Sequence, residues 1–116
     1  MTAATPPPAP DAAEPHPTSG LDDVVHQKAR LGILAVLAET EKADFTYLKK
    51  LLQLTDGNLG RHIEVLAGSG LVHVEKGYAG KRPRTWVTIT RSGRRALDEE
   101  MAAIRELLRR FEAGGG

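Results

Sequence analysis

The 116-residue chain contains no cysteine. That removes disulfides, thiolate metal sites and thiol redox sensing together. Nor does any run approach the roughly 18 apolar residues that a membrane span needs. The first residues lack the basic start and apolar core of a secretory signal, so the expected location is the cytoplasm. Residues 1–20, MTAATPPPAPDAAEPHPTSG, hold six of the seven prolines and no large aliphatic side chain after Met1. Such a stretch cannot bury enough apolar surface to offset its ordering entropy, and a disordered Pro/Ala-rich tail is expected over 1–20. With GGG as the last three residues, 113–116 is an expected flexible terminus. One small domain over about 21–112 is left, long enough for a single core.

Acid is missing from one long interval. Residues 76–97 carry Lys76, Lys81, Arg82, Arg84, Arg91, Arg94 and Arg95 with no Asp or Glu. The formal charge of the whole chain is only +1, because residues 1–27 contribute four acids and no Lys or Arg. From residue 28 onward there are 16 bases against 11 acids. A local basic patch on a nearly neutral protein points to a polyanionic partner.

Catalytic signatures are absent too. There is no Gly-rich phosphate loop, "AGSGL" misses the spacing of a nucleophile elbow, and no His and carboxylate residues cluster at metal-ligand spacing. The chain is therefore expected to be no enzyme, with no metal and no cofactor. His62 lies at the edge of an apolar face and reads as a packed, hydrogen-bonded side chain; His26 and His73 show no ligand spacing toward it.

What is present is periodic. After Asp22 and Asp23, either able to cap a helix, Val25, Leu31, Ile33, Leu34, Leu37 and Ala38 form a stripe over about 24–39. The polar "ETEKAD" ends it. A second helix is expected over about Thr46–Gln53, with Leu48, Leu51 and Leu52 at helical spacing and Lys49 and Lys50 exposed. A third runs from Thr55 as N-cap to about Ser69, with Leu59, Ile63 and Leu66 inward and Gly70 as its left-handed stop. Its interior holds Gly57, Gly60 and Gly68, each costing about 0.5–1 kcal/mol relative to alanine in a helix.

The period then changes from helical to alternating. In "LVHVEKGY" Val72 and Val74 share one side, with His73 and Glu75 on the other; "TWVTIT" repeats the pattern with Val87 and Ile89 inward. "AGKRPR" between them reads as a hairpin loop bearing Lys81, Arg82 and Arg84. Trp86 and Tyr78 are expected to cover the outer face of this hairpin. Thr90 caps a last helix to about Phe111, along which Leu97, Met101, Ile104, Leu108 and Phe111 step by four, three, four and three. That seam serves either packing on the chain's own first helix or a dimer through the first and last helices, and the dimer is the expectation.

Two short helices joined by a tight turn and followed by a basic hairpin make a physically sensible DNA reader. A helix fits the major groove and its first turns meet base edges, while the hairpin lays arginines along the backbone or minor groove. Asn58 suits adenine, and Arg61 suits guanine or a phosphate; Glu64 sits farther along the same arc.

"LTDGNLGRHIEVLAGSGLV" followed by "KGYAGKRPRTWVTITRSGRRAL" resembles the small MarR/ArsR-type winged-helix transcriptional regulators. The shared pattern is a Leu-Ser-x-His-Leu recognition helix, a Gly-Leu-Val lead into the first wing strand, an Arg-Thr wing exit and a Thr-x-x-Gly start to the final helix. The match covers roughly residues 22–110 and departs from the pattern at Gly60, where serine is usual. The resemblance implies a mainly α fold with a small β-hairpin, in the order helix, helix, helix, strand, strand, helix. It implies a homodimer on double-stranded DNA, with Thr55, Asp56, Gly57, Asn58 and Arg61 facing DNA and Lys81, Arg82 and Arg84 in the wing. The cysteine motifs of the ArsR branch are missing, so metal sensing does not carry over. Repression by occluding a promoter is the default expectation, on a pseudo-palindromic operator in the nucleoid. An unidentified small-molecule effector between wing and dimer helices, and a protein-docking winged helix without sequence-specific DNA binding, stay open as alternatives.

Overall fold

The computed structural model describes residues 15–114. Within them the chain forms α1 (Lys28–Thr40), β1 (Lys42–Asp44), α2 (Phe45–Leu52), α3 (Asp56–Gly68), β2 (Val72–Ala79), β3 (Arg82–Ile89) and α4 (Arg91–Gly114), preceded by a 3₁₀ turn at Pro17–Gly20. The expected winged-helix order is present, with one strand more than the sequence pattern indicates. None of the described helices is long and apolar enough to cross a membrane.

α1 starts later than its apolar stripe suggests. Asp22 does cap, but it caps a single turn: its Oδ1 accepts from the N–H groups of Val24 at 2.7 Å and Val25 at 3.3 Å. The chain then extends at Gln27 before the helix begins at Lys28. The interruption lets Val25 enter the core, fully buried, while His26 turns toward α4. From α1 itself Ile33, Leu34 and Leu37 face inward.

"ETEKAD" holds β1, which pairs antiparallel with β3 through Lys42↔Thr88, Ala43↔Val87 and Asp44↔Trp86. Asp44 ends this strand and also caps α2, accepting from the Tyr47 N–H at 2.6 Å. α2 is accordingly one residue earlier than expected at each end. It finishes at Gln53, a left-handed residue with φ 55°.

α3 has the expected cap and stop. Thr55 Oγ1 accepts from the Asn58 N–H at 3.1 Å, and Gly70 follows the helix at φ 76°, where a side chain would be strained. Leu59, Ile63 and Leu66 are all buried. Their burial, about 1.5–3 kcal/mol each, outweighs the three interior glycines.

The sheet order is β1-β3-β2. Val72↔Ile89 and Val74↔Val87 stack the apolar residues on one face, and His73↔Thr88 and Glu75↔Trp86 occupy the other. The hairpin is tighter than "AGKRPR" suggests. Ala79 pairs with Arg82, so only Gly80 and Lys81 form the loop. Gly80 has φ 65° and Lys81 a negative φ, which is the pattern of a type II′ turn. Pro83 is therefore a strand residue, tolerated because β1 pairs with β3 only over 86–88 and leaves that side of Pro83 open.

α4 is rooted on the end of α3. The Thr90 hydroxyl donates to the Gly70 carbonyl at 2.7 Å and accepts from the Gly93 N–H at 2.9 Å. The Leu71 carbonyl accepts from the Thr90 N–H at 3.0 Å. A Cβ at position 93 would lie 2.1 Å from the Leu71 oxygen, so only glycine fits there.

Two terminal expectations need correction. Residues 17–20 of the expected disordered tail form the 3₁₀ turn, which lies on α4, with the Cβ direction of Gly20 3.2 Å from Ala103 Cβ. At the other end α4 continues to Gly114, so residues 113 and 114 are helical, not a loose terminus. Residues 1–14 of the tail, and residues 115 and 116, lie outside the described residues.

Candidate nucleic-acid interface

The first two turns of α3 are open to solvent. Thr55, Asp56, Gly57, Asn58 and Arg61 are all exposed, and Arg61 has no carboxylate partner among the described residues. Cβ atoms built at Gly57, Gly60 or Gly68 meet nothing within 4 Å, so no neighbour in the fold requires these glycines. Thr55 and Asp56 have local duties as well. The Thr55 hydroxyl is held by its cap, and Asp56 pairs with Lys49 Nζ at 2.9 Å. Among the described residues, Asn58, Arg61 and Glu64 are the side chains on this surface with no polar side-chain partner.

His62, next to Arg61, packs as the sequence indicates. It is half-buried, and its Nδ1 stands 3.2 Å from Arg30 Nε, which donates to it. Partial burial, then the charges of Arg30 and Arg61, hold its pKa below the ordinary histidine value of 6.5. The ring is thus neutral near neutral pH and free to accept the Arg30 bond.

In the wing the three expected bases divide. Lys81 sits in the two-residue loop, Arg82 starts β3, and both are exposed. Arg84 instead donates through Nη1 to Asp44 Oδ2 at 2.6 Å. Asp44 therefore braces two elements with its two oxygens, the α2 amide on one and the wing guanidinium on the other. Trp86 is half-buried on the outer face of the hairpin with Lys42 Nζ 4.7 Å above its ring, a cation–π contact. Tyr78, also assigned to this cover, is 73% exposed and covers little.

α2 lies between the recognition helix and the wing. Its Lys49 reaches the first residue of α3, while Thr46 and Lys50 line a notch with Arg82, Pro83 and Arg84 of β3. Sequence reasoning missed this notch. Its signal was confined to the exposed lysine pair, because the Asp44–Arg84 bond joins residues 40 positions apart.

The seam on α4 does not act as one surface. Leu97 is buried in the chain's own core, which takes it out of the expected interface, and Met101 packs against that core while staying partly exposed. The helix leaves the body beyond them: Ile104 is half-buried, and Leu108 and Phe111 are 54% and 74% exposed. The reason is that α4 starts on the Gly70–Leu71 turn, which directs its first turns along α1.

This arrangement, a capped reading helix with a supporting helix and a basic hairpin beside it, defines a winged-helix DNA-binding domain. The chain belongs to that family: the model for the winged helix DNA-binding domain matches residues 29–108. An uncharacterised protein of Methanocaldococcus jannaschii is 36% identical over 89 residues, covering 77% of this chain and 97% of the relative. Among solved structures, a transcriptional regulator homologue from Pyrococcus horikoshii OT3 superposes with a TM-score of 0.70 at 38% identity, covering 73% of this chain and 84% of that one. A MarR-family transcriptional regulator from Silicibacter pomeroyi shares the fold, with a TM-score of 0.61 at 22% identity over 83% of this chain and 64% of that one. The protein is a DNA-binding regulator of this winged-helix class.

Proposed function

We propose that the protein is a homodimeric repressor that binds a pseudo-palindromic operator, one recognition helix to each half-site. The observation that carries this reading is the unpartnered reading surface of α3, with Asn58 and Arg61 exposed beside open glycine positions and the basic wing across α2. Arg61 reads a base or an adjacent phosphate, Asn58 reads a base, and Gly57 lets the helix start approach the DNA backbone closely. Thr55 and Asp56 shape this surface, the first by capping α3 and the second by fixing Lys49. Arg82 and Lys81 add sequence-independent attraction.

The exposed end of α4, with Leu108 and Phe111, supports self-association. Two copies joined there bind two half-sites, which multiplies a weak single contact. Selection from random duplexes followed by sequencing tests the reading. An enriched inverted repeat with half-sites about one helical turn apart is expected. Absence of any enriched sequence would favour a protein-docking winged helix instead.

A further inference from the structure

We propose that the notch between α2 and β3 is a phosphate clamp, in which Lys50 and Arg82 hold a single phosphodiester of the DNA backbone from two sides and Thr46 adds a hydroxyl. This rests on the DNA-binding reading above and gives it a contact that neither the recognition helix nor the wing loop supplies.

The notch has a volume of about 350 Å³ and is lined by Thr46, Lys50, Arg82, Pro83 and Arg84. Three of these five are bases, and none is acidic. Asp44, which borders the notch through its bond to Arg84, has both carboxylate oxygens engaged, one by the Tyr47 amide and one by Arg84. Arg84 is thereby fixed as part of the wall. Lys50 and Arg82 have no carboxylate within ion-pair distance among the described residues.

Converging bases from separate elements repel one another in the free protein. A phosphate between them turns that repulsion into two charge-assisted bonds. The backbone of the notch is braced: Pro83 has a fixed φ, and the Asp44–Arg84 bond ties β3 to the start of α2. Arg82 thus lines the α2 side of the hairpin, and Lys81 alone occupies the tip.

The same geometry favours DNA over a free anion as the source of the phosphate. The notch is open and its two bases are exposed, so water screens a lone inorganic phosphate strongly. A phosphodiester is delivered already oriented when α3 docks, because Lys49, adjacent to Lys50, is bonded to the first residue of α3.

The test is the salt dependence of duplex binding by the full chain and by Lys50→Ala, Arg82→Ala and the double variant, read by fluorescence anisotropy on the selected operator. Each neutralised phosphate contributes roughly 0.9 to the slope of log K against log salt. Because both bases serve one phosphate in each copy, either single change should weaken binding about five- to tenfold. The double variant should lose about one phosphate's worth of slope per copy, no more than a single variant by a wide margin. Base preference should stay unchanged and the melting temperature should not fall, since both side chains are exposed and removing either relieves their mutual repulsion.

Unchanged slopes and affinities in the variants, with wild type binding DNA, would overturn the clamp. So would a double variant that loses twice the slope, which means two separate phosphates. Inorganic phosphate is titrated in parallel at constant ionic strength. Thermal stabilisation that both variants lose, without any change in the DNA slope, would assign the notch to a free anion and overturn the DNA assignment. If wild type binds no duplex at all, the regulator reading fails first and the clamp with it, a result separable from failure of the variants alone.

Discussion

Glu100 keeps its carboxylate wholly out of solvent, 2.5 Å from His26 Nδ1, although it is a charged residue in the middle of a largely exposed helix. Its other oxygen accepts from the Asp22 N–H at 3.0 Å. Two partners from the segment before α1 thus satisfy one buried acid on α4, so the arm carrying Val25 into the core is held from outside as well as from within. Removing His26 leaves the buried carboxylate short of a donor. His26→Ala should destabilise the fold by about 1–3 kcal/mol in urea unfolding. Glu100→Leu added to it should recover part of that loss, because an apolar side chain needs no partner. No loss on His26→Ala would mean that water replaces the imidazole without cost.

Gly57 offers a prediction with opposite signs. A methyl at this position meets nothing within 4 Å of the isolated protein, and the backbone there is ordinary helix. Gly57→Ala should therefore raise stability, by up to about 1 kcal/mol. On DNA the added methyl should obstruct close backbone approach and weaken operator binding several-fold. Gly68→Ala, at the far end of the same helix, should stabilise without touching affinity. Equal affinity for Gly57→Ala and wild type would remove Gly57 from the reading surface.

His62 gives a pH dependence with a definite direction. Its folded pKa is lowered by burial and then by Arg30 and Arg61, so the native state binds its proton less readily than the unfolded chain. The stability this neutral ring contributes is complete above about pH 6.5, the ordinary histidine value, and is lost as pH falls through the lowered folded value. Thermal melts of wild type and His62→Asn between pH 8 and about pH 5 should converge toward the acid end. A difference that stays constant or widens on acidification would contradict this.

Self-association should depend on the outer half of α4. Leu108→Asp with Phe111→Asp should convert a two-chain mass, measured by light scattering, to one chain while leaving the melting transition cooperative. Met101→Asp, at a partly buried residue packed against the core, should instead lower the melting temperature. Retention of a two-chain mass in the Leu108/Phe111 variant would send the search for the interface elsewhere.

The elements that could be read from sequence are those whose local signals agree with their tertiary role. The Thr55 cap, the Gly70 stop, the Val72/Val74 and Val87/Ile89 alternation and the Thr90 cap are each fixed by a few adjacent residues. β1 escaped notice because a three-residue strand with one apolar side chain, Ala43, has no period to detect. Arg82–Pro83–Arg84 looked like loop because its strand character comes from pairing with 77–79 and not from its own residues. α1 begins later than its apolar stripe indicates because Asp22 caps a turn as readily as a helix.

The candidate site was legible in its outline and not in its bonds. Charge and helical phase are enough to bring Asn58, Arg61 and the wing into view. Asp44 engaging Arg84, and Lys49 engaging Asp56, depend on how α2 sits between its neighbours. The α4 seam divides for a related reason: periodicity shows that residues share a helix face, but not where along its length the chain's own core ends.

The contact between Gly93 and the Leu71 carbonyl leaves no room for a side chain. α4 continues the body as an arm whose angle to α3 is set by the contacts of Thr90 and Gly93 with Gly70 and Leu71. In an assembly of two copies joined at the arm's outer end, arm length and root angle together act as a ruler between the reading helices. Changing the spacing of the two half-sites by one base pair should then cost far more than changing any single base within them.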